Sequence, residues 1–126
     1  IYGDYVRQFV YKGADAIFII TNDGWWKKTS GYKQHSMYAQ LRAIETRRYI
    51  ARSANTGISS VINHLGEIEK SILWDKKGII SYEIPLYDTK TFYVQYGDFI
   101  GRLFSFFSVL TLLYYFIINK LKIKTK

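Results

Sequence analysis

Hydrophobic and polar positions divide the chain into a patterned body and an apolar last third. Over residues 4–12, Val6, Phe9 and Val10 fall on one side of a helical repeat that stops at Gly13, which predicts a short helix. Residues 16–20, AIFII, are a continuous apolar run closed by Asn22, Asp23 and Gly24. That length and that ending predict a central strand covered on both faces. A polar, glycine-punctuated loop over 21–33 carries two adjacent tryptophans, Trp25 and Trp26. Over 34–48, Met37, Leu41, Ile44 and the stem of Arg48 recur at helical spacing, while Ala39 and Ala43 keep one side slim for close packing. Strands are expected at 49–54 and 58–63 around the turn Asn55-Thr56-Gly57, and a further strand-like stretch, 67–73, after the turn His64-Leu65-Gly66. Beyond a turn at 75–78, Ile80, Tyr82 and Ile84 alternate with Ser81 and Glu83, which predicts a strand over 79–84 ended by Pro85. Helix, strand, long loop, helix and then tightly connected strands imply a layered α/β domain, with part of its sheet supplied from elsewhere.

The last third follows different rules. Residues 103–118 contain no charge and consist of Leu, Phe, Ile, Val and Tyr with a few hydroxyls. Counted from Phe99 the run reaches about 20 residues, the length of a membrane-spanning helix, with Arg102 placed to snorkel at one end. Every helical face is apolar or aromatic, unlike an amphipathic helix buried on one side. Tyr93, Tyr96 and Phe99 at one end, and Tyr114 and Tyr115 near the other, suit interfacial belts. The expected organisation is a body over 1–98, a transmembrane helix over 99–119 and a basic tail over 120–126. Lys120, Lys122, Lys124 and Lys126 would hold the C-terminus in the cytoplasm and place the body on the outer face of the membrane.

Charge changes this picture little. The formal charge is +8, but four of the cations sit in the tail and the rest are interleaved with acids. The densest cluster in the body, Arg42, Arg47, Arg48 and Arg52, has Glu45 inside it. No basic stripe with polar readers marks one element, so a solvated charged face fits better than a nucleic-acid partner. Residues 1–10 lack the basic and apolar blocks of a signal peptide, and the first residues read as the interior of a larger unit.

Self-contained catalysis finds little support. The chain has no cysteine, hence no disulfide, thiolate metal site or cysteine nucleophile. His35 and His64 are not spaced as metal ligands, and each reads as a structural or surface histidine. Ser53, Ser59 and Ser60 lack the G-x-S-x-G context of a nucleophile elbow. Glu45 reads as an ion-pair partner for Arg42 or Arg48. No metal or cofactor is expected. The strand-end loop remains: ligands of layered α/β proteins gather at the carboxyl ends of strands. Asn22 and Asp23 can fix that loop through side-chain hydrogen bonds, and Gly24 relieves its backbone. Trp25 is then either free to wall a pocket or packed with Trp26 over the edge of the core.

Two segments, IITNDGWW (19–26) and GYKQHSMYAQLRAIETRRYIARSANTGISSVINHLGEI (31–68), resemble the C-terminal half of the nitrilase-like domain of apolipoprotein N-acyltransferases, in the carbon–nitrogen hydrolase superfamily. The shared features occur in family order: N-D-x-W, Q-H followed by R-A-x-E-x-x-R, R-S-x-N-x-G-x-S and a late Tyr-Gly-Asp. The likeness runs from about residue 1 through TFYVQYGDFIGRLF (91–104) and includes the apolar helix. It implies an α-β-β-α sandwich, of which this chain supplies one side, followed by a transmembrane helix.

The resemblance also implies a chemistry. A cysteine takes an acyl chain from a phospholipid as a thioester and passes it to the free α-amino group of a diacylglyceryl-cysteine apolipoprotein. The family's cysteine opens a Cys-Tyr-Glu stretch expected just before residue 1, with a lysine and another glutamate further upstream. This chain is therefore expected to be inactive alone. Trp25 matches the family's pocket tryptophan, with Asn22, Asp23 and Gly24 shaping its loop as the substrate-binding set. Trp26 is expected to pack or to line the lipid side, and Arg47, Arg48, Arg52, Asn55 and Thr56 to brace the sheet and cleft. A monomer in the bacterial inner membrane is implied. Two rivals stay open: a membrane-tethered nitrilase or amidase releasing its acid to water, and a non-catalytic anchored scaffold.

Overall fold

The computed structural model describes residues 2–124, in the order α1 (Gly3–Tyr11), β1 (Ala16–Thr21), a 3-10 turn (Gly24–Trp26), α2 (Gly31–Thr46), β2 (Tyr49–Ala54), β3 (Ser59–Ile62), β4 (Ile68–Ile72), α3 (Phe92–Tyr96) and α4 (Phe99–Lys124). Of the basic tail, Lys126 lies outside the described residues. The four strands form one mixed sheet in the order β1-β2-β3-β4, β1 and β2 parallel and the others antiparallel. The fold is α/β, and α2 is the crossover between its two parallel strands.

Register decides which side chains meet. Ile17 and Ile19 pair with Ile50 and Arg52, and Ile50 with Ile62, so these residues share the face beneath α2. Ala39 and Ala43 close onto Ile50 and Ile62, with Ile17 and Ile19 beside them, as the core. Small alanines let helix and sheet approach closely. This is the close-packing side expected from Ala39 and Ala43. Met37, Leu41 and Ile44 are exposed, and the buried face is Tyr32, Ser36, Ala39, Arg42, Ala43 and Thr46.

Within the described residues β1 has a strand neighbour on one edge and is covered on its α2 side: Phe18 and Ile20 on the other face are 73% and 89% exposed. They join Ala51, Ser53 and Val61 in an open apolar trough that the 76–91 segment covers only in part, through Gly78 and Ile80. Residues 79–84 form no strand. Their burial still alternates, with Ile80, Tyr82 and Ile84 half-buried between exposed Ser81 and Glu83. They lie along the sheet through side chains: Lys70 donates to the Ser81 carbonyl (3.0 Å), and Tyr82 and Tyr87 stack near Tyr49.

Arg48 ties the body together. Its buried guanidinium donates to the carbonyls of Ala14 (2.9 Å), Thr46 (3.4 Å), Arg47 (3.2 Å) and Thr89 (2.8 Å). The turn before β1, the end of α2 and the chain leading into α3 thus share one side chain. Residues Phe99–Lys120 of α4 have a mean hydropathy of 1.7, are not buried against the body, and are long and apolar enough to cross a membrane.

Candidate functional site

The loop that leaves β1 is built from its floor upward. The Asn55 N–H donates to the Thr21 carbonyl (3.0 Å) and the Asp23 N–H to the Thr56 carbonyl (2.8 Å), so the loop starts where strand pairing ends. Asn22 Oδ1 accepts from the Gly24 N–H (3.0 Å), a side-chain turn that steers the backbone into the 3-10 turn. Thr29 Oγ1 then donates to the Trp26 carbonyl (2.7 Å) and closes the loop.

Asp23 points inward and is wholly buried. Its Oδ2 accepts from Arg52 (2.6 Å) and its Oδ1 pairs with His35 Nδ1 (2.8 Å). The same Nδ1 lies 3.2 Å from the Arg52 guanidinium, so the three side chains form one cluster. Arg52, its side chain 1% exposed, also donates to the Ile58 carbonyl. One buried carboxylate therefore joins the end of β1, the second turn of α2, strand β2 and the turn before β3. Gly57 makes this possible: at φ +144 its missing Cβ would stand 2.4 Å from Asp23 Oδ2. Trp26 lies over His35 (ring centroids 4.9 Å) and presses on Gly31, where an added Cβ would come within 2.5 Å of the indole.

Trp25 does the opposite. It is 84% exposed and stands out from the carboxyl end of β1 on this braced support. Of the four residues singled out from the sequence, Asn22 and Gly24 shape the turn, Asp23 anchors it from below and Trp25 alone presents a large surface outward. Sequence reasoning placed His35 by itself. The signal lay in the crossover: a helix returning from a strand end brings its first turns back over that end, where a buried acid needs a donor.

The described residues contain no set of three His, Asp or Glu able to hold a metal ion. Arg42 donates to Glu45 Oε1 (3.2 Å), and burial, outweighing Arg42, raises the Glu45 pKa above its ordinary value. These groups brace the body.

The family model described as Carbon-nitrogen hydrolase matches residues 1–93. The chain belongs to the carbon–nitrogen hydrolase family. Within that family it is 38% identical over 119 residues to apolipoprotein N-acyltransferase 2 of Leptospira interrogans, covering 89% of this chain and 19% of the relative. It is 39% identical over 103 residues to the apolipoprotein N-acyltransferase of Bdellovibrio bacteriovorus (77% of this chain, 18% of the relative). It is 34% identical over 100 residues to that of Chlorobaculum tepidum (79% and 19%). The chain thus spans about a fifth of the length of these curated relatives.

Proposed function

We propose that this chain is the C-terminal part of a membrane-bound apolipoprotein N-acyltransferase. The observation that carries the reading is the extent of the Leptospira likeness. It covers 89% of the chain, whereas the family domain ends at residue 93, so it runs on toward the apolar helix α4. A family amidase acting on a small soluble substrate has no need of that helix. An enzyme whose acyl donor and acceptor are both lipids does, because neither leaves the bilayer.

In this reading an upstream cysteine thiolate attacks an ester carbonyl of a phospholipid, releasing the lysophospholipid and leaving the acyl group as a thioester. The α-amino group of a diacylglyceryl-cysteine lipoprotein then attacks that thioester, forms the amide and returns the thiol. The nucleophile is not in these residues, which contain no cysteine. This chain contributes the far wall of the cleft: Trp25 flanks the acyl-thioester, while Asn22, Asp23 and Gly24 hold its loop. The open trough beside Phe18 and Ile20 is the surface on which the other sheet of the sandwich lies. The enzyme works as a monomer in the bacterial inner membrane, with its body outside and its C-terminus in the cytoplasm.

The test uses the full-length protein, a phospholipid and a diacylated lipoprotein peptide, read by mass spectrometry. Gain of one amide-linked acyl chain on the peptide is expected. Release of free acid or ammonia from small amides, with the peptide unchanged, favours the amidase. No turnover of either substrate favours the scaffold.

A further inference from the structure

We infer that α3 is a membrane-surface foot: a short helix lying in the headgroup region of a phospholipid bilayer and locking the body at a fixed height and tilt. This rests on the reading that α4 spans a bilayer and is independent of which reaction the enzyme catalyses. The Thr91 side chain caps α3, accepting from the Val94 N–H (3.1 Å), and the helix divides cleanly into two faces. Val94 is wholly buried. Phe92 and Tyr96 face outward and join Phe99, the first residue of α4, with ring centroids 4.6 Å (Phe92–Tyr96) and 5.3 Å (Phe92–Phe99) apart. These three exposed rings form one patch, continuous with the apolar surface of α4. Aromatic rings at the mouth of a spanning helix settle at headgroup level. The sequence pattern suggested Tyr93 for this belt. The structure instead turns Tyr93 inward against Gly3, and Phe92 takes its place.

Charge agrees with the position. Arg102, one turn into α4, folds back to donate to the carbonyls of Tyr96 (2.7 Å) and Asp98 (3.2 Å). Its guanidinium is thereby held at the mouth of the apolar span, with further N–H donors free for lipid phosphate.

The foot is fastened to the body rather than hung from it. Thr91 Oγ1 donates to the Glu45 carbonyl at the end of α2 (2.6 Å), Arg7 of α1 to the Val94 carbonyl (3.2 Å), and Arg48 to Thr89 (2.8 Å). Three hydrogen bonds, to α1, to the end of α2 and to Arg48, thus clamp a stretch of six residues. The body and the Trp25 loop then cannot swing freely on the anchor, which suits a site that must meet lipid-bound substrates.

The test places the photocrosslinker p-benzoyl-phenylalanine singly at Phe92, Tyr96, Leu110 and Leu86 of the full-length protein, irradiates intact membranes and reads adducts by mass spectrometry. Leu110, mid-span in α4, is the control for membrane insertion, and Leu86, exposed on the body, the control for water-facing surface. The expected result is phospholipid adducts at Phe92 and Tyr96 comparable to those at Leu110, with background levels at Leu86. Background levels at Phe92 and Tyr96 would overturn the foot, as would adducts there to protein alone, which would mean that another part of the polypeptide covers the patch. Loss of lipid adducts at Leu110 as well would remove the spanning helix, and the foot with it. N-acylation activity, measured separately on the same protein, leaves each of these outcomes unchanged.

Discussion

Replacing Asp23 by alanine tests whether the strand-end loop is braced from beneath. Asp23 is fully buried and its main partner, Arg52, is 1% exposed, so the substitution strands a guanidinium with only the Ile58 carbonyl and the His35 ring beside it. Removing one partner of such a pair costs about 3–5 kcal/mol, because the remaining charge stays desolvated. At the lower figure the folded population falls by roughly a hundredfold relative to the unfolded one. Pulse proteolysis of the full-length protein in detergent across a urea series measures this directly, since cleavage follows the unfolded population. A companion variant separates pairing from packing: adding Arg52→Met to Asp23→Ala removes the stranded charge and should recover part of the loss, giving a favourable coupling of about 0.5–3 kcal/mol. A single-variant cost below about 1 kcal/mol, or no recovery in the double variant, would refute the brace, because an exposed or solvated pair behaves that way.

Arg48→Leu should destabilise by more than about 3 kcal/mol in the same assay, since four carbonyls on three segments lose a charged donor, and Arg48→Lys should not rescue it because one ammonium cannot span those acceptors. Glu45 has a folded-state pKa above its ordinary value of 4.5, so the folded protein binds that proton more tightly and stability falls as pH rises from about 4.5 through the raised value. Glu45→Gln should flatten that part of the stability–pH curve; an unchanged slope would assign it to another group. Ile20→Lys should sharply lower the stability of the full-length protein although Ile20 is 89% exposed in this chain, because the second sheet would bury an unpaired charge there. An unchanged unfolding midpoint would mean that the trough stays open to water.

Local chemistry was legible in the sequence and long-range placement was not. The strand Tyr49–Ala54 was readable to the residue, and β1 to within one, because β-branched and apolar runs bounded by Asn, Asp and Gly are local signals. What covers the Phe18 and Ile20 face of β1 could not be read: an AIFII run looks alike whichever element lies on it. In α2 the periodicity of Met37, Leu41 and Ile44 was real but marked the exposed face, since small Ala39 and Ala43 win the core when a helix must lie close to a sheet. Residues 79–84 kept the predicted alternation of burial without the ladder, because alternation fixes faces and says nothing of a free backbone partner. At the site, Trp25 and the Asn22 turn were visible in a short window. The link from Asp23 to His35 and Arg52, twelve and twenty-nine residues away, exists only once the crossover is folded.

The most direct test of the central claim, a rigidly braced loop presenting Trp25 to the cleft, is Trp25→Ala in the full-length protein, with activity and stability measured side by side. At 84% exposure the indole contributes little to folding in this chain, so the unfolding free energy from urea titration should stay within about 0.5 kcal/mol of the parent. Lipoprotein N-acylation should fall by roughly tenfold or more in kcat/KM, about 1.4 kcal/mol of lost transition-state binding. Parental activity would remove Trp25 from the cleft, and a large loss of stability would make it a packing residue.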